Sequence, residues 1–100
     1  MFVAIRQLKV HSGSIDEAVR RVENGLVPLL RSVPGFVEYD VVQVGEDVGL
    51  TISVFETQEQ VEESNTRAAE WVKQNLALLA AGPHEIVAVG EVRVHQGKQA

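Results

Sequence analysis

The stretch FVEYDVVQVGEDVGLTISVFE, Phe36 to Glu56, decides the fold. Both halves are rich in branched and aromatic residues, which predicts strands over Phe36–Val44 and Val48–Glu56. The link between them, Gly45-Glu46-Asp47, is too short for a crossover, so the two strands must form an antiparallel hairpin. Upstream, Pro34-Gly35 stops a helix. Downstream, Thr57-x-x-Gln60 is a capping box that starts another.

The first of those helices carries apolar residues at Ile15, Ala18, Val19, Val22, Leu26, Leu29, Leu30 and Val33, a helical stripe. Ser14 and Glu17 form its expected capping box. Pro28 and Gly25 lie inside it, which predicts one bent helix kinked near Asn24. The second helix is expected from Gln58 to about Ala81, where Gly82-Pro83 stops it. Strands over Phe2–Val10 and Glu85–His95 complete the order β-α-β-β-α-β. With right-handed crossovers this is an α+β, ferredoxin-like antiparallel sheet with both helices on one face. One domain over residues 1–96 and a frayed tail over 97–100 account for the chain.

Composition narrows the function. The hydrophobic fraction of 45% is that of a globular chain, and there are no cysteines, which excludes disulfides and thiolate metal sites. The net charge is −5 with no basic stripe, so nucleic acid is not an expected partner. Phe2–Val10 carries Arg6 and Lys9 and no cleavage signature, unlike a secretory leader. No apolar run reaches spanning length, so no membrane partner and a cytoplasmic location are expected. His11, His84 and His95 have no spacing that suggests a metal.

Side chains alternate along a strand, so parity sorts the faces. The even-numbered set (among them Phe2, Ala4, Leu8, Phe36, Leu50, Ile52 and Val54) is nearly all apolar and is expected to face the helices, with Arg6, Glu38 and Asp40 as exceptions. The odd set is half apolar, with Val3, Ile5, Val37, Tyr39, Val41, Phe55, Val87 and Val89. Two water-avoiding faces and helices for only one predict a homodimer packed sheet to sheet, with Glu91, Arg93 and His95 near the rim.

The candidate site lies in EESNTRAAEWV, Glu62 to Val72. On the helix, Val61, Asn65, Ala68, Val72 and Leu76 share a stripe, and Ser64 and Trp71 flank it. A buried amide must find a partner. Asn65 therefore bonds a backbone carbonyl or Asp40, or else lines a cleft with Arg6 and Ser64 as polar contacts and Trp71 as its apolar wall. Arg6 in turn either pairs with Glu38 or Asp40 or holds an anionic oxygen. Tyr39 is expected at the dimer interface.

With PGFVEYDVV, LTISVFET and SNTRAAEWV in this order of elements, the chain resembles the antibiotic biosynthesis monooxygenase-like group of dimeric α/β-barrel proteins. The resemblance covers roughly Phe2 to His95. It implies a homodimer whose sheets form a barrel, with a pocket between sheet and helices. Some members oxidise aromatic polyketides with dioxygen and no metal or flavin, using asparagine, tryptophan, tyrosine and arginine. Asn65, Trp71, Tyr39 and Arg6 supply those types. Haem-degrading relatives use a histidine on the second helix, which has none here. The resemblance implies a cofactor-free monooxygenase for a small aromatic or quinone-like compound, with Asn65, Trp71 and Arg6 as catalytic candidates. Ser64, Asp40, Glu38 and Tyr39 are the substrate-binding candidates. The alternative is a non-catalytic binding or stress protein on the same barrel.

Overall fold

Strand β1 (Phe2–Lys9) lies inside the sheet because both its edges are paired. On one side β3 (Val48–Phe55) runs antiparallel to it, with Phe2 opposite Phe55 and Lys9 opposite Val48. On the other, β4 (Glu85–Glu91) does the same, with Phe2 opposite Glu91. The hairpin partner β2 (Phe36–Gly45) takes the far edge, giving the order β2-β3-β1-β4. This is the expected ferredoxin-like sheet. The computed structural model describes residues 1–98, so Gln99 and Ala100 of the expected tail lie outside the described residues.

The first helix bends where its sequence breaks. It comprises α1 (Ile15–Arg21), a π-helical turn (Val22–Leu26) and α2 (Val27–Arg31). Pro28 has no N–H to give the Asn24 carbonyl, and the widened turn absorbs that loss. The stripe stays in phase across it: Ala18, Val22, Leu26 and Leu30 are all buried. The capping box expected at Ser14 does not form. Ser14 has helical rather than extended backbone angles, and Glu17 is engaged by Arg20 and Arg21.

Helix α3 (Gln58–Asn75) starts at the capping box as expected, with Gln60 N–H to Thr57 Oγ1 at 3.2 Å and Thr57 N–H to Gln60 Oε1 at 3.1 Å. It ends at Asn75, short of Ala81. The chain beyond turns back to extend the β1 edge: His11 N–H donates to Leu79 C=O and Ala81 N–H to Lys9 C=O, each at 2.8 Å. Those backbone bonds replace the last helical turns. β4 also ends early, at Glu91, though Val92 N–H still reaches Met1 C=O at 2.9 Å.

Parity holds on β1 and fails on β2, on β3 and on part of β4, where Val89 instead of Ala88 shares the face of Ala4. The helix-facing residues of β1 are Ala4 and Arg6, and they stand opposite Ser53 and Thr51. On β3 the odd-numbered side chains therefore face inward, and Ser53 and Phe55 are fully buried. A register shift between Phe36 and Glu38 then flips β2, so that Phe36, Tyr39 and Val41 face the helices. Glu38, Asp40 and Val42 point to the open side. The open face thus carries Val3, Ile5, Leu50, Ile52, Val54, Val42 and Ala88 in register. It is more apolar than the odd set read from sequence. Among the described residues no helix is long and apolar enough to cross a membrane.

Candidate functional site

Small residues open a polar spot in the core. Ala4, Ser53, Ser64 and Ala68 are all fully buried, and Arg6 fills the space they leave, itself 1% exposed. Arg6 Nη1 donates to Asn65 Oδ1 at 2.9 Å and leans on the Ser64 carbonyl at 3.4 Å. Its Nη2 donates to Ser53 Oγ. Ser64 Oγ turns away to the Val61 carbonyl, at 2.6 Å. Every partner of the guanidinium is neutral. Among the described residues the ion pairs are all surface pairs, such as Arg67 with Glu63 at 3.0 Å, and none includes Arg6.

The expected Arg6 pair with Glu38 or Asp40 is absent because the register shift carries both carboxylates to the other side of the sheet. There Asp40, by hydrogen bonding and charge, pushes the Glu38 pKa up, and His95 opposes it. The same shift brings Tyr39 inward, against the main core cluster, instead of to the open face. Burial raises the Tyr39 pKa, opposed by the charge of Arg6 and by the Thr51 hydroxyl. Among the described residues, neither the Tyr39 nor the Thr51 hydroxyl finds a hydrogen-bond partner of acceptable geometry, nor does Arg6 Nε. A buried guanidinium without a carboxylate leaves electrostatic demand for an anionic oxygen.

Sequence reasoning passed over a further group. His84 stands just before β4, two residues from Ile86, the cross-strand partner of Arg6. Alternation places it on the helix-facing side. It is half-buried, and burial, with the charge of Arg6 adding to it, lowers its pKa from 6.5 to about 4. The signal available in sequence was its position immediately before a strand paired to the Arg6 strand. Beside it, Ile86 and Val89 also face the helix side, yet remain 57% and 42% exposed because no helix covers β4.

Trp71 is placed apart from this cluster. Its ring packs on Gly25 in the π-helical turn, where an added Cβ would come within 2.7 Å of the ring. Open surface grooves of about 320 and 350 Å³ flank it, the first lined by Leu29 and Arg67 and the second by Arg20 and Asn24. Between the first helix and the sheet only about 40 Å³ is free, lined by Leu8, Val41, Thr51 and Leu76 among others. That is room for a water, not for a ring system. Arg6 itself is closed off from solvent; of the residues around it, Asn65 and His84 are half-buried and Ile86 and Val89 are exposed.

The model of the antibiotic biosynthesis monooxygenase family matches residues 1–69. The chain belongs to the antibiotic biosynthesis monooxygenase family. Solved structures of low identity share its fold. A Streptomyces coelicolor monooxygenase in complex with nanaomycin D is 19% identical, with 98% of this chain and 92% of that chain covered and a TM-score of 0.76. A haem degrader from Mycobacterium tuberculosis, with two haems in its active site, is 19% identical over 97% and 100% of the chains, with a TM-score of 0.73. A Nitrosomonas europaea protein of unknown function is 15% identical over 99% and 95%, with a TM-score of 0.76. No curated protein matches the chain significantly.

Proposed function

We propose that this family member is a monooxygenase of a small aromatic or quinone-like compound, acting as a homodimer and without metal or organic cofactor. The observation that carries the reading is Arg6, buried with neutral partners only. Such a charge is costly to keep in a core, and an enolate or phenolate oxygen gives it the partner it lacks. Asn65, half-buried at the edge of the cluster, is the second contact, its side-chain N–H groups free to face the substrate while its oxygen accepts from Arg6. Tyr39 and Ser64 shape the floor. The ring lies along Ile86 and Val89. Trp71 supports the helix pair from its seam with Gly25, and Glu38 and Asp40 belong to the open face.

The chemistry asked of the protein is modest. A substrate that ionises to an electron-rich carbanion reacts with dioxygen directly, and the site stabilises the oxygen that bears the charge. Haem is bound by a relative of this fold, but α3 here has no histidine to ligate its iron. The fold comparisons alone would also suit a non-catalytic binder. The uncompensated Arg6 favours the enzyme, since a passive apolar pocket has no use for it.

Dioxygen uptake measured with a panel of hydroxyquinones and anthrones tests the reading. Wild type is expected to consume oxygen well above the buffer rate, and Asn65→Ala to lose roughly 100–1,000-fold, in line with removal of one oxyanion donor. Equal rates in the two would remove Asn65 from the mechanism, and no uptake by wild type would remove the activity.

A further inference from the structure

We propose that His84 is the catalytic base of this site, taking the proton from the carbon that dioxygen then attacks. The inference rests on the monooxygenase reading and adds a residue to it. Ionising a carbon acid needs a proton acceptor within reach of the bound ring. The helix-facing neighbours of Arg6 supply few. Ser53 and Thr51 are hydroxyls, Asn65 is an amide, and Arg6 is a cation. Tyr39 is held protonated by burial. The carboxylates Glu38 and Asp40 are screened by the sheet itself. His84 remains.

Its placement suits the task. Ile86 is paired with Arg6 and His84 lies two residues before it, which places His84 diagonally from Arg6 on the same face, roughly 7 Å away as in diagonal cross-strand pairs. A ring resting on Ile86 and Val89 can then present its oxygen to Arg6 and an acidic carbon to His84. Pro83 fixes the backbone immediately before it. Burial, with the charge of Arg6 adding to it, keeps the imidazole unprotonated at neutral pH, with a lone pair available but weakened as a base, so the transfer depends on Arg6 stabilising the enolate oxygen. The same charge draws electron density toward the substrate oxygen as the proton leaves.

The step balances for a methylene substrate such as anthrone. His84 removes one methylene proton, and the electron pair moves to the enolate oxygen facing Arg6. The carbanion carbon adds dioxygen by two successive one-electron transfers, forming a carbon–oxygen bond and a peroxide anion. The imidazolium returns its proton to that anion. The hydroperoxide then breaks its O–O bond and loses the second methylene hydrogen. One oxygen stays as a new ketone and the other leaves as water. The substrate gives up four electrons and dioxygen accepts four.

Two measurements on the full chain separate this step from the rest. Under argon in deuterated buffer, exchange of the anthrone methylene protons reports base catalysis alone. In air, oxygen uptake reports the whole reaction. Wild type is expected to accelerate both. His84→Gln is expected to lose at least about 100-fold in each while still binding anthraquinone. His84→Gly is expected to recover exchange when imidazole is added, which a packing role would not produce. Exchange by His84→Gln at the wild-type rate, with uptake intact, would overturn the base and leave the monooxygenase standing. Absence of both activities in wild type would overturn both.

Discussion

At the residue scale, Arg6 poses a conflict between stability and use. Its guanidinium is 1% exposed and bonded to two side chains and a carbonyl, all neutral. Desolvation of a charge costs several kcal/mol, and neutral hydrogen bonds return only part of it. Replacing Arg6 with methionine keeps most of the volume and removes the charge. Chemical denaturation of Arg6→Met is therefore expected to show stability undiminished or raised by about 1 kcal/mol, together with loss of oxygen uptake. A loss above about 3 kcal/mol would make Arg6 a structural residue instead. Part of this site was legible from sequence alone. An arginine in an apolar strand and an asparagine on an apolar helical stripe are both misfits, and misfits draw the eye. Ser53, Thr51 and His84 were not legible. They are ordinary residues whose importance comes only from the strand register that sets them beside Arg6.

At the scale of elements, Gly25 and Trp71 show how the two helices are joined. A glycine inside a helix ordinarily costs about 1 kcal/mol relative to alanine. Here the indole of α3 lies where a Cβ would stand, at 2.7 Å. Gly25→Ala gains helix propensity and loses the seam. Overpacking of this kind costs about 1–3 kcal/mol, so the loss should win. The expected result is a melting temperature lower by several degrees, with Trp71 emission shifted as the ring is displaced. A higher melting temperature would mean that the ring moves aside freely. The bend itself was readable from Pro28 and the unbroken stripe. The end of α3 was not, because Leu76–Ala81 has helical composition and is diverted by backbone bonds to Lys9 and His11, a tertiary effect. The strand faces failed for a further reason. Alternation identifies the buried face only when one face is wet, and on β3 the apolar set Leu50, Ile52 and Val54 lies on the open side.

At the scale of the whole molecule, that open side argues for a second copy. Both helices lie on the other face, and β1, β2, β3 and β4 all contribute to the uncovered one. Apolar residues gathered on one uncovered sheet face are a common mark of an interaction surface. Two such faces packed together would form the barrel. Ile52 lies at the middle, with Ile5 on one neighbouring strand and Asp40 on the other. A lysine there would meet Asp40 within its own subunit, so the monomer tolerates it. In a sheet-to-sheet dimer the same lysine would be desolvated against its symmetry mate, at a cost of several kcal/mol. Sedimentation of wild type at micromolar concentration is expected to give a dimer, and Ile52→Lys a folded monomer with unchanged far-ultraviolet dichroism. Because Arg6 and His84 open to the opposite side of the sheet, the monomer should keep its ligand affinity to the extent that its sheet stays ordered. A wild-type chain that sediments as a stable single subunit would leave Leu50, Ile52 and Val54 in water, and the barrel would have no physical basis.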